Sequence, residues 1–378
     1  MADITQESLD LHRTHRGKLE VASKVPVKDR AALARVYTPG VGAVSTAIGK
    51  DKNLVWEYTM KGNMVAVVSD GSAILGLGNL GPEAALPVME GKAILFKELS
   101  GVDAFPICLA TQDPDEIVAA VKAIAPVFGG INLEDIAAPK CFDIEKRLQE
   151  ALNIPVIHDD QHGTATVVLA AFLNALKVKG LAVGAARVVM NGAGAAGTAV
   201  SLMLLDAGVT DLTICDSKGV IYAGREHLTD AKRDLAGRTN PRGMTGGLAD
   251  AIKDADVFIG VSVAGALTGD MVRTMRSGPI IFAMANPIPE IMPDEALAAG
   301  ASIVATGRSD FPNQINNVLA FPGIFRGALD HRVCHITQEM LMAAARNLAA
   351  LVEHPTVENI MPDIFDPRVV PAVADAIR

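Results

Sequence analysis

The chain has 378 residues, half of them hydrophobic and a fifth charged, with a formal net charge of −9. That is a globular composition, with length for about two domains at roughly 100–200 residues each, and its acidic balance argues against a nucleic-acid partner, whose phosphates demand a basic footprint. The polar N-terminus MADITQESLDLHRTHRGKLE has no apolar core and no stretch gives about 18 uninterrupted apolar residues, so a cytoplasmic protein with no membrane span is expected. Cys108, Cys141, Cys215 and Cys334 lie far apart without a CxxC pair and are expected as reduced thiols.

In chain order, residues 1–60 read as helix and loop around the turn Tyr37-Thr38-Pro39-Gly40. A buried strand is expected at 63–69 (NMVAVVS), a helix at 83–99 despite Pro87 and Gly91, a strand at 105–109 and an amphipathic helix opened by Asp113-Pro114. Strand and helix then alternate: strands at 130–133 and 155–157, helices at 140–152 and 163–177. After Gly180 come a strand at 187–191, a glycine turn, a helix at 195–207, and strands at 212–215, 257–261, 280–283 and 303–305. From Ile324 onward the pattern is mainly helical. Such alternation gives an α/β protein with parallel sheets covered on both faces.

Gly192-Ala193-Gly194-Ala195-Ala196-Gly197 matches G-x-G-x-x-G, directly after an apolar strand and at the start of a helix, and Asp216 ends the next strand 24 residues after Gly192. The first glycine permits a tight turn, the second lets backbone approach a pyrophosphate, and the third packs helix on strand; the phosphates rest on the helix N-terminus. A nicotinamide dinucleotide is the expected ligand. An acid at Asp216 favours NAD over NADP, but Lys218, Lys232 and Arg233 lie close enough in sequence to offset it, so NAD or NADP stays open. A second match at 76–81 shows no following helix start and no downstream acid, and is expected as a loop near the site.

Two acid pairs, Glu134-Asp135 and Asp159-Asp160, each follow a short apolar run and so sit at strand ends. Convergent carboxylates suit a hard divalent cation, Mg²⁺ or Mn²⁺; taken alone, they read first as helix caps and solvated loop acids.

Nearly the whole chain resembles the malic enzymes, in their compact bacterial form. YTPGVG at 37–42, SDGSAILGLGNLG at 69–81, PVMEGKAILF at 87–96, HDDQHGT at 158–164, ANP at 285–287 and NQINNVLAFPGIF at 313–325 occur in that family's order. The resemblance implies oxidative decarboxylation of L-malate to pyruvate and CO₂ with NAD(P)⁺ and Mg²⁺ or Mn²⁺. By motif, Glu134, Asp135 and Asp160 would be metal ligands, Lys92 the general base, Tyr37 the general acid, and Asp159 the acid that supports proton transfer. Asn286 and Asn317 would hold the substrate with Asn316 beside them. Where larger malic enzymes carry a substrate-clamping arginine, this chain has Ala73, and Arg308 is expected to supply part of that charge. The expected layout is an N-terminal substrate and metal domain at 1–160, a Rossmann domain at 161–317 and C-terminal helices from 318 packing back on the first, in a homodimer or higher homo-oligomer. The rival expectations are a metal-independent two-domain amino-acid dehydrogenase and a non-catalytic nicotinamide-binding sensor.

Overall fold

A computed structural model describes residues 4–378. Its strands form two sheets. In the first, β1 (Met64–Ser69), β2 (Asp103–Cys108), β3 (Gly130–Leu133) and β4 (Val156–His158) run parallel in the order β2-β1-β3-β4. In the second, β5 (Arg187–Asn191), β6 (Asp211–Asp216), β7 (Gly219–Val220), β8 (Val257–Gly260), β9 (Ile280–Ala283) and β10 (Ile303–Thr306) lie in the order β10-β9-β8-β5-β6-β7. Only the two-residue β7 is antiparallel. Strands such as MVAVVS are buried along their whole length, as parallel strands covered by helices on both faces must be.

The order of each sheet fixes where a ligand can sit. Chain connections depart in opposite directions from β1 and β3 in the first sheet, and from β5 and β8 in the second. Crevices open outside the carboxyl ends of strands at such switch points. In the first sheet β3 runs into Glu134-Asp135; in the second β5 runs into Gly192 and β8 into Val261-Ser262.

The helix Pro82–Ser100 begins directly after Gly81, with Pro82 in its first turn where no intrahelical donor is needed, and runs through Pro87 to end at Gly101 in the left-handed region. The glycine run at 76–81 therefore does open a helix, contrary to the sequence expectation, and that helix starts one residue before the expected position 83. The helix Asp159–Lys179 likewise starts four residues before the expected position, straight from β4, and places Asp159 and Asp160 in its first turn. Negative side chains are favoured there by the helix dipole.

Phe321 and Phe325 of the helix Phe321–Asp330 meet Phe96 edge-on, with ring centroids 4.7 and 5.4 Å away. All three are fully buried, each contributing roughly 1.5–3 kcal/mol through the area removed from water. Asn174 of the Asp159–Lys179 helix donates to the carbonyls of Ala349 and Ile360, both at 2.9 Å. At the other extreme, the helices Ile4–His15, Arg30–Val36 and Gly40–Lys50 bury only Ala32 among them. No described helix is long and apolar enough to cross a membrane.

Candidate active site

Glu134 and Asp135, at the end of β3, meet Asp160 from the first turn after β4. Each offers a carboxylate oxygen within 4.8 Å of the others. Asp135 is held in the left-handed region (φ 54°), which costs a non-glycine residue strain. It is fixed there because its N–H donates to Asp160 (3.0 Å), its carbonyl accepts from Ala73 (3.0 Å) and its Oδ1 accepts from Leu75 (3.2 Å). Its Oδ2 is buried without a hydrogen-bond partner. Burial, then Asp160 and Glu134, push the Asp135 carboxyl up to about 8. Burial also raises Glu134, with Lys92 pulling the other way and Asp160 adding repulsion. An all-oxygen donor set with an orphaned oxygen and like charge that Lys92 relieves only in part fits a hard divalent cation.

Lys92, on the Pro82–Ser100 helix, is 8% exposed. Its Nζ donates to Asp159 Oδ2 at 2.7 Å, lies 3.1 Å from Glu134 Oε1 and stands 4.2 Å above the Phe321 ring. Burial works to lower its pKa, but Asp159 and Glu134 outweigh it and hold the ammonium above its ordinary value. Burial raises Asp159 to about 6 against the pull of Lys92. Gly163 is required by this arrangement, since a Cβ there would lie 1.9 Å from Asp159 Oδ1.

Glu145 supports the acids from behind. Its carboxylate accepts from the N–H of His158 (2.8 Å) and from Gln161 (3.1 Å), and pairs with His162 at 2.9 Å. Sequence reasoning passed over it, although a signal exists: Cys141, Ile144, Glu145 and Leu148 are the buried positions of one helix, so an acid sits on the apolar stripe. Glu290, fully buried, accepts from the N–H groups of Ser262 (2.8 Å) and Ala285 (3.0 Å), tying together two loops of the second sheet. No comparable pattern marks it in the sequence.

The glycine motif at 192–197 forms a strand–turn–helix. Gly192 has φ 118°, and a Cβ there would lie 2.7 Å from the Val261 carbonyl; at Gly197 it would lie 1.9 Å from the Gly192 carbonyl. A Cβ on Gly194 would meet nothing within 4 Å. Protein packing thus explains two of the glycines and leaves Gly194 facing open space, where a pyrophosphate would approach. On one side of this turn lies a cavity of about 1340 Å³ bordered by Gly194, Asp216, Arg225, Lys232 and Val263. On the other lies one of about 620 Å³ bordered by Ala196, Ser262, Asn286, Asn316, Asn317 and the three clustered acids, with Lys92. Ser262 lines both. Ala195 and Ala196 start the helix between them.

Asp216 is less free than its sequence position suggests. Its Oδ2 accepts from Arg225 (2.5 Å) and Lys232 (2.7 Å), and its Oδ1 from the Lys218 N–H (2.9 Å). Burial opposes, but these donors hold the carboxyl well below the usual range. Of the offsetting cations expected from the sequence, Lys232 pairs with Asp216, Lys218 contributes its backbone N–H and Arg233 pairs with Asp230 at 2.5 Å; Arg225, which was not among them, supplies the second cation.

Two expected site residues stand elsewhere. Arg308 does not border the cavity that holds Lys92 and the clustered acids: Asp310 takes its guanidinium in two contacts (2.8 and 2.7 Å) and Pro287 accepts a third, so it is not placed to supply the charge expected of it there. Tyr37 is 67% exposed, and among the described residues no tyrosine borders that cavity.

Two family models match, the malic enzyme N-terminal domain over residues 16–149 and the malic enzyme NAD binding domain over 161–376. The bifunctional malic/malolactic enzyme of Bacillus subtilis is 59% identical, covering 99% of this chain and 92% of that protein. The NAD-dependent malic enzyme of Geobacillus stearothermophilus is 55% identical over 96% of this chain and 76% of its own length. The crystal structure of malic enzyme from Pyrococcus horikoshii superposes with a TM-score of 0.94 at 50% identity, covering 99% of this chain and 89% of that one. With both domain models matched in order along one α/β chain, this protein belongs to the malic enzyme family.

Proposed function

We propose that this protein oxidises L-malate at C2, passes one hydride to NAD or NADP, and releases C4 as CO₂ to leave pyruvate. The observation that carries this is the meeting of Lys92 and Asp159 with Glu134, Asp135 and Asp160 in a cavity that abuts the dinucleotide turn. Lys92 takes the C2 hydroxyl proton as hydride departs, and because Asp159 and Glu134 hold it as an ammonium it must first pass its own proton to Asp159, 2.7 Å away, whose carboxyl is raised to about 6. Glu134, Asp135 and Asp160 would hold Mg²⁺ or Mn²⁺, whose charge supplies the electron sink for CO₂ loss. Asn286 and Asn317, with Asn316 beside them, orient the substrate. The Gly192–Gly197 turn and the two cavities flanking it accommodate the coenzyme.

The last step puts a proton on C3, and Tyr37 is the proposed donor. Since it lies on a surface-exposed arm, it acts in the site of a second copy of the chain, which makes the enzyme a homodimer at least. Tyr37→Phe and Lys92→Ala are each expected to be inactive alone. Unfolding and refolding them together in equal amounts would then restore about a quarter of wild-type activity, one intact site in each mixed dimer; no recovery would show that each chain uses its own tyrosine.

The test of the reaction is nicotinamide reduction with malate, with and without Mn²⁺, comparing NAD⁺ with NADP⁺ and assaying pyruvate and lactate. Malate-dependent reduction that stops with chelator is expected. Activity indifferent to chelator would favour a metal-independent dehydrogenase.

A further inference from the structure

Malate is a dianion entering a cavity that already holds three carboxylates, so some cation besides the metal must meet it. Ala73 provides none, Arg308 is occupied by Asp310, and Lys92 is divided between Asp159 and Glu134. The remaining basic side chains on the wall of this cavity, among the described residues, are Lys18 and His12, both from the N-terminal arm.

The arm is fastened to the helix that carries Lys92. The Lys18 N–H donates to Glu90 Oε2 at 2.9 Å and its Nζ donates to the Pro87 carbonyl at 2.8 Å. Gly17 and Gly91 make room for this seat. A Cβ at Gly17, where φ is 98°, would lie 2.9 Å from Glu90 Oε1, and one at Gly91 would lie 3.3 Å from Lys18 Nζ. The Lys18 ammonium is therefore half-buried beside Gly91, one residue from Lys92, with two of its three N–H donors uncommitted.

We propose that Lys18 is the residue that binds a malate carboxylate in place of the missing arginine, and that it holds the C1 carboxylate, the one retained in pyruvate. An ammonium paired with the departing C4 carboxylate would stabilise the ground state against CO₂ loss, whereas a partner for C1 can be kept through both chemical steps. This rests on the malate reading above.

The experiment compares Lys18→Gln, which keeps a hydrogen-bonding side chain, one atom shorter, but not its charge, with Lys18→Arg. In Lys18→Gln the KM for malate and the inhibition constant of pyruvate should both rise about tenfold or more, as befits a lost charge-assisted hydrogen bond, with the KM for coenzyme unchanged. Lys18→Arg should recover most of the loss. Malate kinetics of Lys18→Gln equal to wild type, or a coenzyme KM that rises in step with that for malate, would overturn the assignment. If the wild-type protein reduces no coenzyme with malate, the reaction itself has been misassigned, a separate result from either of these.

Discussion

His162 Nε2 stands 2.9 Å from Glu145 Oε1, on the same oxygen that receives the His158 N–H. Between those two histidines lie Asp159 and Asp160, so one buried carboxylate sets the turn from which both acids project. Glu145→Ala would leave its buried donors unpaired, costing about 1–3 kcal/mol of stability, and should weaken Mn²⁺ binding by about 10–100-fold, as loss of a supporting group around a metal site does. The pair also has a pH signature. Burial would push Glu145 up, but His162 holds it below its ordinary range; burial would lower His162, but Glu145 raises it. The contribution is fully present between about 4.3 and 6.5, the unfolded values of the two groups. It is lost as pH falls through the depressed carboxyl value or rises through the raised imidazole value. The melting-temperature gap between wild type and His162→Asn should therefore be wider near pH ~6 than near pH ~9. An equal gap at both would show that the charge pair contributes nothing.

The clustered acids repel one another when no cation is present. Mn²⁺ at about a hundred times its Kd should stabilise the protein by about 2.7 kcal/mol, and Asp160→Asn should abolish that gain in a thermal melt. At pH about 9, above the value of about 8 to which the Asp135 carboxyl is raised, metal-free Asp135→Asn should be at least as stable as metal-free wild type, because it removes buried like charge. A less stable metal-free Asp135→Asn would mean that Asp135 serves the fold before it serves a metal.

The dinucleotide turn separates packing from binding. A Cβ at Gly194 meets no protein atom, while one at Gly197 would run into the Gly192 carbonyl. Gly194→Ala is expected to fold with a wild-type melting temperature and lose coenzyme affinity by tenfold or more, by about 1.4 kcal/mol or above. Gly197→Ala should instead unfold at lower temperature. Titration of NAD⁺ and NADP⁺ by intrinsic fluorescence or calorimetry, beside thermal melts, distinguishes the two; unaltered coenzyme affinity in Gly194→Ala would remove the pyrophosphate from this turn.

Much of the frame was legible from local patterns. The runs 130–133, 187–191 and 280–283 match β3, β5 and β9 to the residue, because strands buried on both faces show themselves as short, mainly apolar stretches, IIFA throughout and RVVMN around its Val-Val-Met centre. The acids were legible as pairs at strand ends, and the structure brings Glu134, Asp135 and Asp160 together. What failed depended on how each charge is paired in the folded chain, whatever the sequence distance: Arg308 is taken by Asp310 two residues on, Asp216 by Arg225 nine residues on. Nothing near Arg308 in sequence weighs Asp310 and Pro287 against a substrate, and nothing near Asp216 shows that Arg225 closes on it. Lys18 sits in a polar stretch without periodicity, and only its contact with Pro87 and Glu90, about 70 residues on, draws it to the cavity. Glu145 alone could have been found, as a charge on an otherwise apolar stripe.

The helix Asp159–Lys179 is gripped near both ends, by Glu145 at its start and through Asn174 by the carbonyls of Ala349 and Ile360. It therefore behaves as a rigid rod whose axial position is clamped by chain that never approaches the substrate. Removing the final thirty residues, 349–378, would release the far clamp, and a sliding of the rod would be felt at its tip, where two aspartates must keep station against a lysine.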